Sequence, residues 1–139
     1  MTRVFADASH FVALLVSRDA LHARAVEAST RYTRVVTTAW VMAEVASYLA
    51  APSHRARFTD LLACVRADPV LEFLPADQEL FDRGAELYAA RPDKEWSLVD
   101  CTSFVVMQRM GISDALTGDR HFVQAGFRAL LAEEAAPSA

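Results

Sequence analysis

The chain has 139 residues, 53% hydrophobic and 23% charged, with a formal net charge of −4. That length fits one domain with one core, and the balance excludes a disordered chain. The longest apolar runs, such as Phe11 to Val16, fall far short of the ~20 residues that cross a bilayer, and the acidic balance argues against a nucleic-acid binder that works by positive charge alone.

In chain order, Arg3 to Ala6 reads as a first strand ending at Asp7, followed by a helix over Ser9 to Ser17 and a second over His22 to Arg31. Val35 to Thr38 is β-branched and short enough for a buried strand. Trp40 to Ala50 reads as a helix stopped by Pro52, and Ser53 as the cap of a helix reaching Arg66. A turn at Asp68 and Pro69 leads to a strand at Leu71 to Leu74. Asp77 to Ala90 carries Leu80, Gly84, Leu87 and Tyr88 at helical spacing, before a polar loop from Arg91 to Glu95. Ser97 to Met110 is a long, mostly apolar helix that should cross the centre of the fold. Ala115 to Thr117 and Phe127 to Leu131 are short apolar runs on either side of a turn at Gly118 and a helical turn near His121. The division expected is one domain over 1–132 and a frayed tail over 133–139.

Strands alternating with helices predict an α/β fold, a central, mostly parallel sheet between two helical layers. Ligands of such sheets bind beyond the carboxyl ends of the strands. The N-terminus lacks the apolar stretch of a signal peptide, which predicts a cytoplasmic protein. Cys64 and Cys101 fall in stretches that read as buried helix and are expected to be inert core thiols. The four histidines, His10, His22, His54 and His121, lack metal-ligand spacing and read as surface or partly buried side chains.

Four acids resist a purely structural explanation. Asp7 and Asp119 each stand just beyond an apolar run, where a helix cap or turn acid is the plain alternative. Glu44 falls within the apolar stripe of Val41, Val45, Tyr48 and Leu49, so it needs a cation, an arginine or water at a cleft edge. Asp100 completes an S-x-x-D capping box with Ser97, and its second oxygen remains available to a metal. If these acids cluster around cations, the arginines crowding the first half of the chain, Arg18, Arg24, Arg31, Arg34, Arg55 and Arg57, are candidates to face phosphate; ordinary solvated surface is the other reading of each.

The segments Phe5-Ala6-Asp7-Ala8-Ser9, Trp40-Val41-Met42-Ala43-Glu44-Val45, Trp96-Ser97-Leu98-Val99-Asp100-Cys101-Thr102-Ser103-Phe104 and Ala115-Leu116-Thr117-Gly118-Asp119-Arg120-His121-Phe122, in this order and spacing, resemble those of the PIN-domain ribonucleases, most closely the VapC-type toxins of toxin-antitoxin pairs. The resemblance covers nearly the whole chain. It implies a PIN-like three-layer α/β/α sandwich and an RNA-cleaving site with Asp7, Glu44, Asp100 and Asp119 as catalytic and metal-binding residues. Ser9, Thr102, Ser103 and Thr117 fall at the family's supporting polar positions, and Asp114 is a further acid nearby. It also implies magnesium, with manganese as a substitute, an RNA substrate, a small antitoxin partner and a homodimer.

Carboxylate oxygens suit magnesium, and one or two such ions can activate water and neutralise charge on a phosphodiester. The same clustering predicts a carboxyl with a raised pKa when no metal is bound. Two other readings stand beside this one. A PIN-like module could grip RNA or protein without cutting. A magnesium-dependent phosphatase could use an aspartate ending the first strand, but that class wants a second acid two residues on, where Ser9 stands.

Overall fold

The computed structural model describes residues 3–132; the tail expected at 133–139 lies outside the described residues. Five strands form one sheet in the order β3-β2-β1-β4-β5, and every pairing is parallel. Strand β1 (Val4–Ala6) is central and buried on both faces, which is why it reads as an unbroken apolar run. From it the chain passes through helices α1 (Ala8–Leu15) and α2 (His22–Ser29) to β2 (Val35–Thr38), then through α3 (Ala39–Tyr48) and α4 (Arg55–Ala67) to β3 (Leu71–Leu74) at one edge. It returns through α5 (Gln78–Ala90) and α6 (Leu98–Met110) to β4 (Asp114–Leu116) on the other side of β1, and α7 (His121–Gln124) leads to β5 (Arg128–Ala129).

The expected three-layer α/β/α architecture forms, with the sheet wholly rather than mostly parallel. Helix starts follow local chemistry. Thr38 caps α3 by accepting from Val41 N at 3.1 Å, and Asp77 caps α5 by accepting from Leu80 N at 2.8 Å. The Ser97 and Asp100 capping box opens α6 as the spacing predicts. Gly111 ends that helix at φ 64°, a left-handed conformation that glycine adopts without strain. At α4 the cap position falls to His54, one residue after the expected Ser53.

Helices α5 and α6 approach closely because Gly84 has no side chain. A Cβ there would lie 2.6 Å from Thr102 Cγ2 and 3.2 Å from Thr102 N. Thr102 cannot swing aside easily, since its hydroxyl donates to Val99 O at 2.7 Å. Gly84→Ala is therefore expected to lower stability by about 1–2 kcal/mol, overpacking exceeding the gain in helix propensity, as read from urea denaturation.

Two expectations need correction. Cys64 is exposed rather than buried; only Cys101 is a buried thiol, its pKa pushed up to about 11 by burial and the neighbouring Asp100. His10 is fully buried, edge-on to Phe11, rather than at the surface or partly buried, and burial lowers its pKa to about 4, so it is neutral at neutral pH. Among the described residues no helix is long and apolar enough to cross a membrane.

Candidate metal centre

Strand order reverses at β1, whose neighbours β2 and β4 are reached in opposite directions. A crevice opens at such a point beyond the carboxyl ends of the strands. Here Asp7 follows β1 directly, and Thr117, Gly118 and Asp119 follow β4. Asp100 enters from the first turn of α6 and Glu44 from α3, which follows β2. These four acids line one cleft of about 340 Å³, with Ser9, Ser97 and His121 on its walls and the ring of Tyr48, 69% exposed, one helical turn beyond Glu44.

Asp7 is 4% exposed and occupies the cap position of α1 without making a side-chain cap bond. Its Oδ2 accepts from Thr117 Oγ1 at 2.8 Å and from Ser9 Oγ at 3.3 Å. Thr117 Oγ1 in turn accepts from Asp119 N at 3.0 Å, and Ser9 Oγ accepts from Gly118 N at 3.0 Å. Two hydroxyls thus tie the end of β1 to the loop after β4 and fix one oxygen of Asp7. The other, Oδ1, is buried without a hydrogen-bond partner. An orphaned carboxylate oxygen costs several kcal/mol in a dry interior unless a cation or proton meets it.

Asp100 holds its cap through Oδ2, which accepts from Ser97 N at 3.1 Å and faces His121 Nδ1 at 3.1 Å. His121 also lies 3.4 Å from Asp119 Oδ2, and its backbone N donates to Asp119 Oδ1 at 2.8 Å. Ligand atoms of Asp100, Asp119 and His121 all fall within 4.8 Å of one another. The loop is anchored from behind by rings. Phe104 of α6 meets Phe122 of α7 edge-on at 4.9 Å and Trp96 at 5.0 Å, and Trp96 Nε1 donates to Gln124 Oε1 at 3.1 Å.

The electrostatics are those of carboxylates sharing too little space. Burial, with Asp100 and Asp119 nearby, raises Asp7 to about 6, against the hydrogen bond from Thr117. Glu44 is pushed up to about 7 by burial and then by Asp7, Asp100 and Asp119. Asp100 is raised chiefly by burial, partly offset by its bonds from Ser97 and His121. Hard oxygen donors, mutual repulsion and the orphaned Asp7 Oδ1 together fit a divalent cation.

Not every expected residue belongs here. No arginine pairs with Glu44 among the described residues. Thr102 turns towards Gly84 and Ser103 is buried with an unpartnered hydroxyl, so neither lines the cleft. Asp114 stands at the opposite end of β4, beside Arg128 at 3.4 Å. None of the six arginines crowding the first half lines the cleft: Arg31 pairs with Glu27, while Arg24, Arg55 and Arg57 donate to backbone carbonyls. Conversely, Asp19, Glu95 and His121 line it unforeseen. For His121 a signal existed, because an imidazole two residues after a loop acid lies within reach of that acid's carboxylate.

A parallel α/β sheet with carboxylates gathered at its switch point defines an α/β protein with an open, acidic cleft whose donors fit a divalent cation. The chain belongs to the PIN-domain family, whose model matches residues 4–128. It is 31% identical over 126 residues to the 23S rRNA-specific endonuclease VapC20 of Mycobacterium tuberculosis, in both strain CDC 1551 / Oshkosh and strain H37Rv, covering 89% of this chain and 95% of that protein. The crystal structure of Mycobacterium tuberculosis VapC20, described as a sarcin-ricin loop cleaving toxin, superposes with a TM-score of 0.80 at 29% identity, over 89% of this chain and 95% of that one.

Proposed function

We propose that this protein is a magnesium-dependent endoribonuclease acting as the toxin of a toxin-antitoxin pair. The observation that carries this reading is the buried, unpartnered Oδ1 of Asp7 in a cleft shared with Glu44, Asp100 and Asp119. Similarity to VapC20 supports RNA as the substrate, and large-subunit ribosomal RNA is the first to test. Asp7 and Asp100 would hold the principal ion, with Glu44 and Asp119 completing its surroundings or holding a second; manganese can substitute. Bound there, the ion supplies Lewis-acid stabilisation of phosphate charge and a water of lowered pKa. The chain's own part is preorganisation. Ser9 and Thr117 hold Asp7 by one oxygen, the α6 cap holds Asp100 by one oxygen, and Tyr48 offers an exposed ring to an unstacked base.

The reading includes a small antitoxin that covers the acidic cleft, a homodimer, and a cytoplasmic location where RNA is met. Purified protein incubated with total RNA in EDTA, magnesium or manganese, beside Asp100→Asn, tests it. Discrete fragments that need metal and vanish in the variant are expected; intact RNA under every metal, from protein shown to be free of partner, would sink the reading. The Asn variant keeps an acceptor for the α6 cap, so its fold should survive.

Thr117→Val keeps the shape of the side chain but removes the donor to Asp7 and the acceptor for Asp119 N. It is expected to weaken cation affinity or activity by about 10–100-fold, the usual cost of losing a group that orients a ligand. A magnesium titration of the cleavage rate, with circular dichroism to verify folding, checks this.

A further inference from the structure

Among the side chains that line the cleft, His121 offers the one nitrogen ligand, and every other potential metal ligand there is an oxygen. Its Nδ1 stands 3.1 Å from Asp100 Oδ2 and 3.4 Å from Asp119 Oδ2. Neighbouring ligands on an octahedral ion with bonds of about 2.1 Å lie about 3.0 Å apart, so these gaps suit donors sharing one cation. They suit hydrogen bonds equally, so the same imidazole can keep two like-charged carboxylates together before a cation arrives. The ring's place is set in advance. Its backbone N is held by Asp119 Oδ1, and the next residue, Phe122, is fully buried against Phe104. Independently, Asp7 lines the same cleft and its Oδ1 is buried without a partner, so that oxygen still lacks a positive group to meet it.

We infer that His121 Nδ1 is itself a ligand of the cation, and that this nitrogen makes the centre favour manganese over magnesium. The inference rests on the reading that the acids hold a divalent ion, and deepens it. Carboxylates serve both ions, but imidazole is a far better donor to a transition metal than to magnesium, which prefers oxygen and keeps its waters. The tautomer required carries its proton on Nε2 and presents a lone pair at Nδ1.

Pulsed electron paramagnetic resonance on the manganese-loaded wild-type protein reads the ligand directly. Coupling to 14N is expected, changing to the 15N pattern when the histidines are 15N-labelled and disappearing in His121→Asn. In calorimetric titrations the variant should lose about tenfold in manganese affinity, with magnesium affinity changed by less than about threefold. Manganese bound without nitrogen coupling would overturn the ligand assignment and leave the acid site standing, with His121 only a hydrogen-bond partner. Failure of the wild type to bind either ion at millimolar concentration would overturn both readings. Because the 15N comparison uses unmutated protein, misfolding of the variant cannot decide the outcome.

Discussion

Replacing Asp7 with asparagine is expected to lower RNA cleavage by roughly 10²–10³-fold, comparable to the loss of one preorganised charge-stabilising group, while making the metal-free protein harder to melt. The two effects share one cause. Asp7 is held by Ser9 and Thr117 through Oδ2 and leaves Oδ1 buried and unpartnered. Asparagine has nearly the same shape and can still accept through its carbonyl, so the hydroxyl network should persist. It has no charge to offer a cation, and none to repel Asp100 or Asp119. Raising a carboxyl from 3.8 to about 6 corresponds to about 3 kcal/mol between its two protonation states. Removing that charge at pH 7.5 should raise the melting temperature of the EDTA-treated protein by roughly 10 °C. An inactive variant that melts no higher than the wild type would show that Asp7 is not strained by its neighbours.

The second large effect is on the wild type, whose metal-free stability should depend on pH in a direction set by the cleft. Between 3.8 and about 6 the folded state keeps a proton on Asp7 that the unfolded chain has released, so this contribution to stability falls as pH rises through that window. Glu44 acts the same way between 4.5 and about 7. His10 opposes them: its pKa drops from 6.5 to about 4 in the fold, so its contribution is lost as pH falls through that range. The net curve therefore mixes both signs, and the clean measurement is the difference between protein with and without magnesium. A cation at 100 times its dissociation constant adds about 2.7 kcal/mol. Thermal shifts on adding magnesium should accordingly be large at pH 7.5 and shrink towards pH 5, where the carboxyls hold protons. A shift independent of pH would mean that the ion binds elsewhere.

Much of the architecture was legible because parallel sheets bury their strands on both faces. Val4 to Ala6 and Val35 to Thr38 stand out as short apolar or β-branched runs, and the alternation with helices dictates the layers. The rule that ligands bind beyond the strands' carboxyl ends points to the edge where Asp7 and Asp119 stand, and the family resemblance joins them into one site. Glu44 was legible through its misfit with an apolar stripe, and Asp100 through Ser97. What periodicity could not supply was direction across the fold. Thr102 lies two residues after Asp100, about 200° around the helix, and so meets Gly84 of α5 rather than the cleft. His10 and Cys64 exchange their expected surroundings for a related reason: a helix face is identified by its average, while one residue's burial depends on what packs over it. Asp19 and Glu95 come from loops, where no repeat in the sequence fixes their direction.

Thr117 reaches Asp7 across 110 positions of the chain, and Phe5 of β1 pairs with Ala115 of β4. The central strand is thus synthesised 110 positions ahead of the segment that ties down its carboxyl end on one side. At about 5–20 residues per second, the interval is on the order of 5–20 s. Throughout it β1 has an open edge, and the cleft lacks Asp119, the Thr117 hydroxyl that holds Asp7 and the Gly118 N–H that holds Ser9. The full cleft can form only after β4 and the loop beyond it have been made. For an endoribonuclease, that order of assembly withholds the acidic cleft from nearby RNA until β4 has joined the sheet.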